Sequence, residues 1–130
     1  MNQRITDFSQ LPSVKLYFSI GETILTEGDR TDGWFVLISG KVGVFKRDFS
    51  VAEISKPGTV IGELGFLLNI HRTATLIAQE PTMLLHVRVG LDELFTKYPD
   101  LAKKMVLMLA ERLVKTTEDW RESVDRVDAY

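Results

Sequence analysis

The chain has 130 residues, 45% of them hydrophobic and 26% charged, with a formal net charge of −2. One domain with a sizeable buried core is the expectation for that length, and the slightly acidic balance does not suit direct binding of nucleic acid. There is no cysteine, which excludes disulfides, zinc–thiolate sites, iron–sulfur clusters and thiol catalysis and fits a reducing compartment.

The first thirty residues hold no apolar run of signal-peptide length and acids are interspersed. Neither an export signal nor a transmembrane helix is expected, and a cytoplasmic location follows as an expectation. From about Val14 the apolar runs are short, β-branched and broken by turn residues. Val14–Phe18 and Thr23–Leu25 flank the turn cluster Ser19-Ile20-Gly21-Glu22. Glu27-Gly28-Asp29-Arg30-Thr31-Asp32-Gly33 is a polar loop whose glycines can take positive φ. Trp34–Ile38 is a candidate for a buried strand, ended by Ser39-Gly40. Val42–Phe45 and Val51–Ile54 flank a polar hairpin at Lys46-Arg47-Asp48-Phe49-Ser50, and Pro57-Gly58 marks another turn. Thr73–Ala78 and Met83–Val89 complete the strands. Many short strands at regular spacing suit a sandwich, jelly roll or barrel.

The texture changes near Leu91, beyond which there is no glycine and Pro99 is the sole proline. A short helix is expected from Asp92 as N-cap, with Leu94, Phe95 and Tyr98 on its inner face. Pro99 suits the first turn of a longer helix with two apolar stripes. Leu101, Met105 and Met108 form one, expected to pack on the β core. The other runs Val106, Leu109, Leu113, Thr116, Trp120, Ser123, Val127 in alternating steps of three and four, the spacing of a coiled-coil seam. A homodimer through that seam is the expectation; the alternative is that both stripes pack within one chain.

Chemistry concentrates in the stretch 61–76, where Gly62-Glu63 stands nine positions before Arg72-Thr73-Ala74. An arginine fork can clamp a phosphate, small residues let backbone N–H groups approach it, and a carboxylate can accept from a sugar hydroxyl. Taken alone, Arg72 and Glu63 could equally form a surface ion pair, and Gly62 and Gly65 could be turn residues. Metal enzymes built on similar β-rolls need several converging histidines. With only His71 and His86, neither a catalytic nor a metal site is expected; haem on His71 is a remote alternative.

Four features in order resemble the cyclic-nucleotide-binding domain family. They are the Glu27-Gly28-Asp29 loop ahead of strand Trp34–Ile38 and Gly40; Pro57-Gly58 before Ile61-Gly62-Glu63-Leu64; Arg72-Thr73-Ala74 at the family's spacing; and two closing helices. The resemblance runs from about Pro12 to Thr117. It implies one domain over 1–130, mainly β with flanking α-helices: an eight-stranded antiparallel, cupin-like β-roll at about 12–90 with a phosphate-binding cassette at 61–76, then a short helix and a long dimerisation helix within about 91–128. It further implies a ligand site of Gly62, Glu63, Leu64, Arg72, Thr73 and Ala74. Arg72 and the N–H groups of Thr73 and Ala74 would hold the phosphate, and Glu63 the ribose 2′-hydroxyl. Ile61, Val44 and Val51 would wall it.

The segment 110–118 resembles the dimer helix of the catabolite-activator members of the family. By that likeness Arg112 braces Glu63, Thr116 reads the base of its own protomer's ligand and Thr117 the partner's; otherwise the two threonines only set coiled-coil register. Trp120, a turn beyond, either lids the base or packs at the interface. Thr73 in this position can also contact guanine. The implied ligand is cAMP in preference to cGMP, and the implied role a cyclic-nucleotide sensor without enzymatic activity. The alternatives are a non-binding dimer scaffold, or the regulatory domain of a longer effector protein.

Overall fold

The computed structural model describes residues 5–122, with side chains to 117. After a 3₁₀ turn at Phe8–Gln10 come strands β1 (Ser13–Phe18), β2 (Thr23–Leu25), β3 (Trp34–Ser39), β4 (Val42–Lys46), β5 (Phe49–Ile54) and β6 (Val60–Ile61). Helix α1 (Glu63–Leu67) follows, then β7 (Thr75–Ala78), β8 (Thr82–Val87), α2 (Leu91–Lys97) and α3 (Pro99–Glu122). Among the described residues the strands form two four-stranded antiparallel sheets, ordered β1-β8-β3-β6 and β2-β7-β4-β5. The expected mainly β architecture, eight strands closed by a short and a long helix, is the one observed.

The continuous apolar run of β3 has a simple cause: its sheet is covered on both faces. Trp34 and Val36 face Phe8, Leu85, Val87, Leu94, Leu101 and Met105, which seat the helices. Phe35 and Leu37 face the other sheet, with Leu25, Val42, Ile61, Leu76 and Leu84. Alternating side chains thus serve two cores, each fully buried one stabilising by roughly 1.5–3 kcal/mol. The Trp34 indole N–H donates to the Val89 carbonyl at 2.9 Å, so its polar atom is satisfied inside the first core.

Several boundaries differ from the sequence expectation. The hairpin turn is only Arg47-Asp48, with φ of 49° and 69°, so Phe49 and Ser50 belong to β5; two left-handed residues make the tight turn that matches strand twist. Thr73 and Ala74 precede β7, and β8 stops at Val87. Val60–Ile61 pairs with β3, too short a strand to be visible in the sequence pattern. Asp92 is not the N-cap of α2: Gly90 holds that position, and Asp92 lies in the first turn with Glu93, where acids favour the helix dipole. Phe95 is turned to solvent, 54% exposed, while Leu94 is buried.

Pro99 opens α3 as expected. Leu101 and Met105 pack into the helix-side core together with Ala102. Met108 joins them partly, and so does Leu109, which the sequence had placed on the second stripe. Val106 and Leu113 of that stripe remain exposed, beside Leu107 and Val114. The Trp120 side chain and all of Ser123 and Val127 lie outside the described residues. No described helix is long and apolar enough to cross a membrane.

Candidate functional site

The cassette is built where β6 leaves its sheet. Gly62 takes φ 76°, the left-handed region that favours glycine, and turns the chain straight into α1. Glu63 therefore becomes the first residue of α1, and its side chain points inward, 2% exposed. Its carboxylate accepts from Arg112 Nη1 of α3 at 2.5 Å. The guanidinium side of this pair is 44% exposed, so the link joins a buried acid to a half-open base.

Arg72 is also buried, at 2%. Its backbone is clasped in both directions by the loop between β2 and β3. The Arg72 N–H donates to Asp29 O at 2.7 Å, and Gly28 N–H donates to Arg72 O at 2.8 Å. The side chain runs back under α1 into the same loop. Nε donates to Thr31 Oγ1 (2.8 Å), Nη1 to Gly62 O (2.6 Å), and Nη2 to Thr31 O (3.1 Å) and Gly33 O (2.7 Å). Four of the five guanidinium N–H groups are thus directed at protein oxygens. Burial pushes the guanidinium below its ordinary pKa, while Asp32 and Glu63 pull it the other way; an arginine so placed stays charged.

The glycines make room for this arrangement. A Cβ on Gly62 would lie 3.0 Å from Arg72 Nη1, and one on Gly65 would lie 3.1 Å from the same atom. Gly65 is therefore the seat of Arg72, a role beyond the turn function its sequence context suggested.

The remaining expected residues divide by location. Leu64 is exposed on α1, Thr73 is exposed and Ala74 half-buried beside Arg72. Val44 and Val51 are half-buried on β4 and β5, whereas Ile61 is committed to the inter-sheet core at 4% exposure. Thr116 and Thr117 are exposed on α3, and their hydroxyls donate to Arg112 O and Leu113 O one turn back, the usual resting bond of a helical threonine. The structure thus joins Glu63 to Arg112 and packs Arg72 against Gly62. It shows no contact of Thr116 or Thr117 with the cassette among the described residues.

Sequence reading missed the partners of Arg72. Thr31 and Gly33 were visible only as part of a polar, glycine-containing loop, and nothing local marks them as acceptors for a residue 41 and 39 positions away. An open cleft of about 330 Å³ lies between that loop and the far end of α1, lined by Arg30, Thr31, Asp32, Gly65, Phe66, Asn69 and Ile70. None of the expected ligand residues lines it. No cluster of three or more metal-ligating side chains occurs among the described residues.

Comparison with known proteins bears on this geometry. The family model for the cyclic nucleotide-binding domain matches residues 15–97. A cAMP-dependent protein kinase regulatory subunit of Yarrowia lipolytica is 39% identical over 64 residues, 49% of this chain and 17% of the relative. A cGMP-dependent protein kinase of Plasmodium berghei is 38% identical over 65 residues, 50% of this chain and 8% of the relative. The crystal structure of the Thermus thermophilus catabolite activator protein superposes with a TM-score of 0.73 at 25% identity, covering 84% of this chain and 54% of that one. The chain spans a small fraction of the two kinase-system relatives and about half of the activator. With the matched segment holding the cassette, its buried glutamate and its buried arginine, the chain belongs to the cyclic nucleotide-binding domain family.

Proposed function

We propose that the chain is a homodimeric cyclic-nucleotide sensor module that takes cAMP in preference to cGMP. The observation that carries this reading is the link from Glu63 on α1 to Arg112 on α3, with Arg72 packed beneath the same short helix. One carboxylate, one guanidinium and the small residues Thr73 and Ala74 supply what a ribose cyclic phosphate needs: an acceptor for the 2′-hydroxyl and donors for the anion. Gly62, Leu64, Val44 and Val51 complete the proposed cradle. Arg112 couples it to α3, and Thr116 and Thr117 contribute the base reading once ligand draws the helix in. The relatives include both a cAMP-dependent and a cGMP-dependent kinase system, so the preference rests on the two threonines of α3.

The proposed partner of α3 is a second copy of the chain. Val106 (53% exposed) and Leu113 (68% exposed) leave an apolar stripe open on the helix, and a three–four repeat suits a matching helix. Ligand would shift α3 through its differential affinity for two helix arrangements. The proposed role is regulatory and non-catalytic, in the manner of the family.

One observation favours a second reading, a scaffold that binds no nucleotide: the protein itself occupies most of the Arg72 donors. Calorimetric titration with cAMP and cGMP separates the two. Micromolar or tighter binding of cAMP supports the sensor; no heat with either ligand in a folded sample supports the scaffold.

A further inference from the structure

The guanidinium of Arg72 has two usable edges, and the structure fills them differently. The side edge, Nε with Nη2, is taken by one residue: Thr31 accepts through Oγ1 at 2.8 Å and through its carbonyl at 3.1 Å. The end edge, Nη1 with Nη2, meets two carbonyls from separate segments, Gly62 at 2.6 Å and Gly33 at 2.7 Å. A two-point grip by one residue fixes the plane and heading of the fork. The Gly62 contact comes from a different segment from Thr31 and Gly33, so it can be given up while the loop contacts remain.

We propose that Thr31 is a positioning residue for Arg72. Its hydroxyl and carbonyl hold the side edge throughout, with Gly33 on the same loop, while Nη1 exchanges the Gly62 carbonyl for an anionic oxygen of a cyclic phosphodiester. This rests on the cyclic-nucleotide reading above, but the grip itself is made by protein atoms alone. A charge-assisted hydrogen bond to a phosphodiester oxygen is directional, and it requires the fork to be presented in a fixed orientation.

The loop carrying Thr31 is itself anchored. His86 Nε2 lies 2.9 Å from Asp32 O, and the His86 ring stacks on Phe35 with centroids 4.9 Å apart. Asp32 also pairs with Arg88 at 3.5 Å. Gly33 fits against His86 so closely that a Cβ there would lie 2.4 Å from Nε2. Strand β8 therefore fixes the loop, the loop fixes Thr31, and Thr31 fixes the fork. Thr31 is exposed as a residue, so its replacement opens no cavity in the core. Thr31→Val does leave the Arg72 Nε–H without its acceptor; Thr31→Ser, which keeps the hydroxyl, together with a check of folding by circular dichroism, separates positioning from folding.

The test compares the wild type with Thr31→Val and Thr31→Ser in two measurements. The first needs no ligand: solvent exchange of the Arg72 Nε–H proton, read by proton–nitrogen NMR. It is expected to be slow in wild type and Thr31→Ser and clearly faster in Thr31→Val. The second is calorimetric titration with cAMP, in which Thr31→Val is expected to bind about tenfold more weakly and Thr31→Ser close to wild type, the scale of one hydrogen bond to a charged group. Equal exchange rates in all three proteins would overturn the grip. Slow exchange in wild type and fast exchange in Thr31→Val, with no cAMP binding by any of them, would uphold the grip and remove the nucleotide reading instead. A normal exchange difference with identical cAMP affinities would overturn the positioning role.

Discussion

Glu63 and Arg112 stand 49 positions apart and meet at 2.5 Å, joining the first residue of α1 to the middle of α3. The acid is buried and the base half-open, so the two ends of the pair contribute unequally. Removing Arg112 leaves a buried carboxylate without its partner, whereas neutralising Glu63 leaves a guanidinium that can turn to water. Arg112→Ala is therefore expected to lower stability by about 2 kcal/mol, below the cost of breaking a fully buried pair because one partner is solvated. Glu63→Gln should cost less, and the double variant less than the sum of the two. Urea unfolding of the four proteins measures this cycle; strict additivity would show that the contact carries no energy.

Gly62 supplies the turn that points Glu63 inward. With φ at 76° and a Cβ that would come within 3.0 Å of Arg72 Nη1, Gly62→Ala faces both a left-handed backbone and a crowded guanidinium. A loss of about 1–2 kcal/mol is expected from the backbone alone. Thermal unfolding reads it, and an unchanged midpoint would mean that the cassette turn relaxes freely.

The start of the described chain gives a pH dependence. Asp7 caps the first turn by accepting from the Ser9 N–H and hydroxyl, both at 2.9 Å. These bonds, the backbone one first, hold its carboxyl below the usual aspartate range. An acid whose folded pKa is depressed stabilises fully above its unfolded value and loses that stabilisation as pH falls through the folded one. Asp7→Ala is expected to cost about 0.5 kcal/mol at neutral pH, the low end for an exposed cap on a short turn. The difference from wild type should shrink below about pH 4. Unfolding of both proteins at pH 7 and pH 3 checks this; a constant difference would assign the effect to packing.

The exposed stripe of α3 predicts association. Replacing Val106 and Leu113 by aspartate removes apolar contact and adds like charges across a symmetric seam. Sedimentation should show a dimer for wild type and a monomer for Val106→Asp/Leu113→Asp. The same mass for both would leave the stripe without the partner proposed for it.

Much of the fold was legible in the sequence because its signals are local. The Trp34–Ile38 run, the turn at Pro57-Gly58 and the helix start at Pro99 each follow from a few adjacent residues. The failures have equally local causes. Val60–Ile61 is too short to show alternation, and Asp92 looks like a cap because nothing nearby reveals that Gly90 already holds that position. At the site, the cassette spacing identified Glu63 and Arg72 as a pair of interest. Where the arginine fork rests was not readable, since Thr31 and Gly33 reach it only through the path of a loop on another part of the chain. Leu109 shows the same limit: heptad spacing placed it on the outer seam, while in the structure it packs partly against the helix-side core.

The central claim is that the cassette binds a cyclic nucleotide through Arg72, and one titration tests it most directly. Calorimetry with cAMP and cGMP is run on the wild type and on Arg72→Ala, each first shown to be folded by circular dichroism. The account predicts micromolar or tighter binding of cAMP, weaker binding of cGMP, and a loss of roughly 30-fold or more in the variant, as expected when one partner of a buried charged contact is removed. No heat with either nucleotide from folded wild-type protein, or binding that Arg72→Ala leaves unchanged, would contradict it.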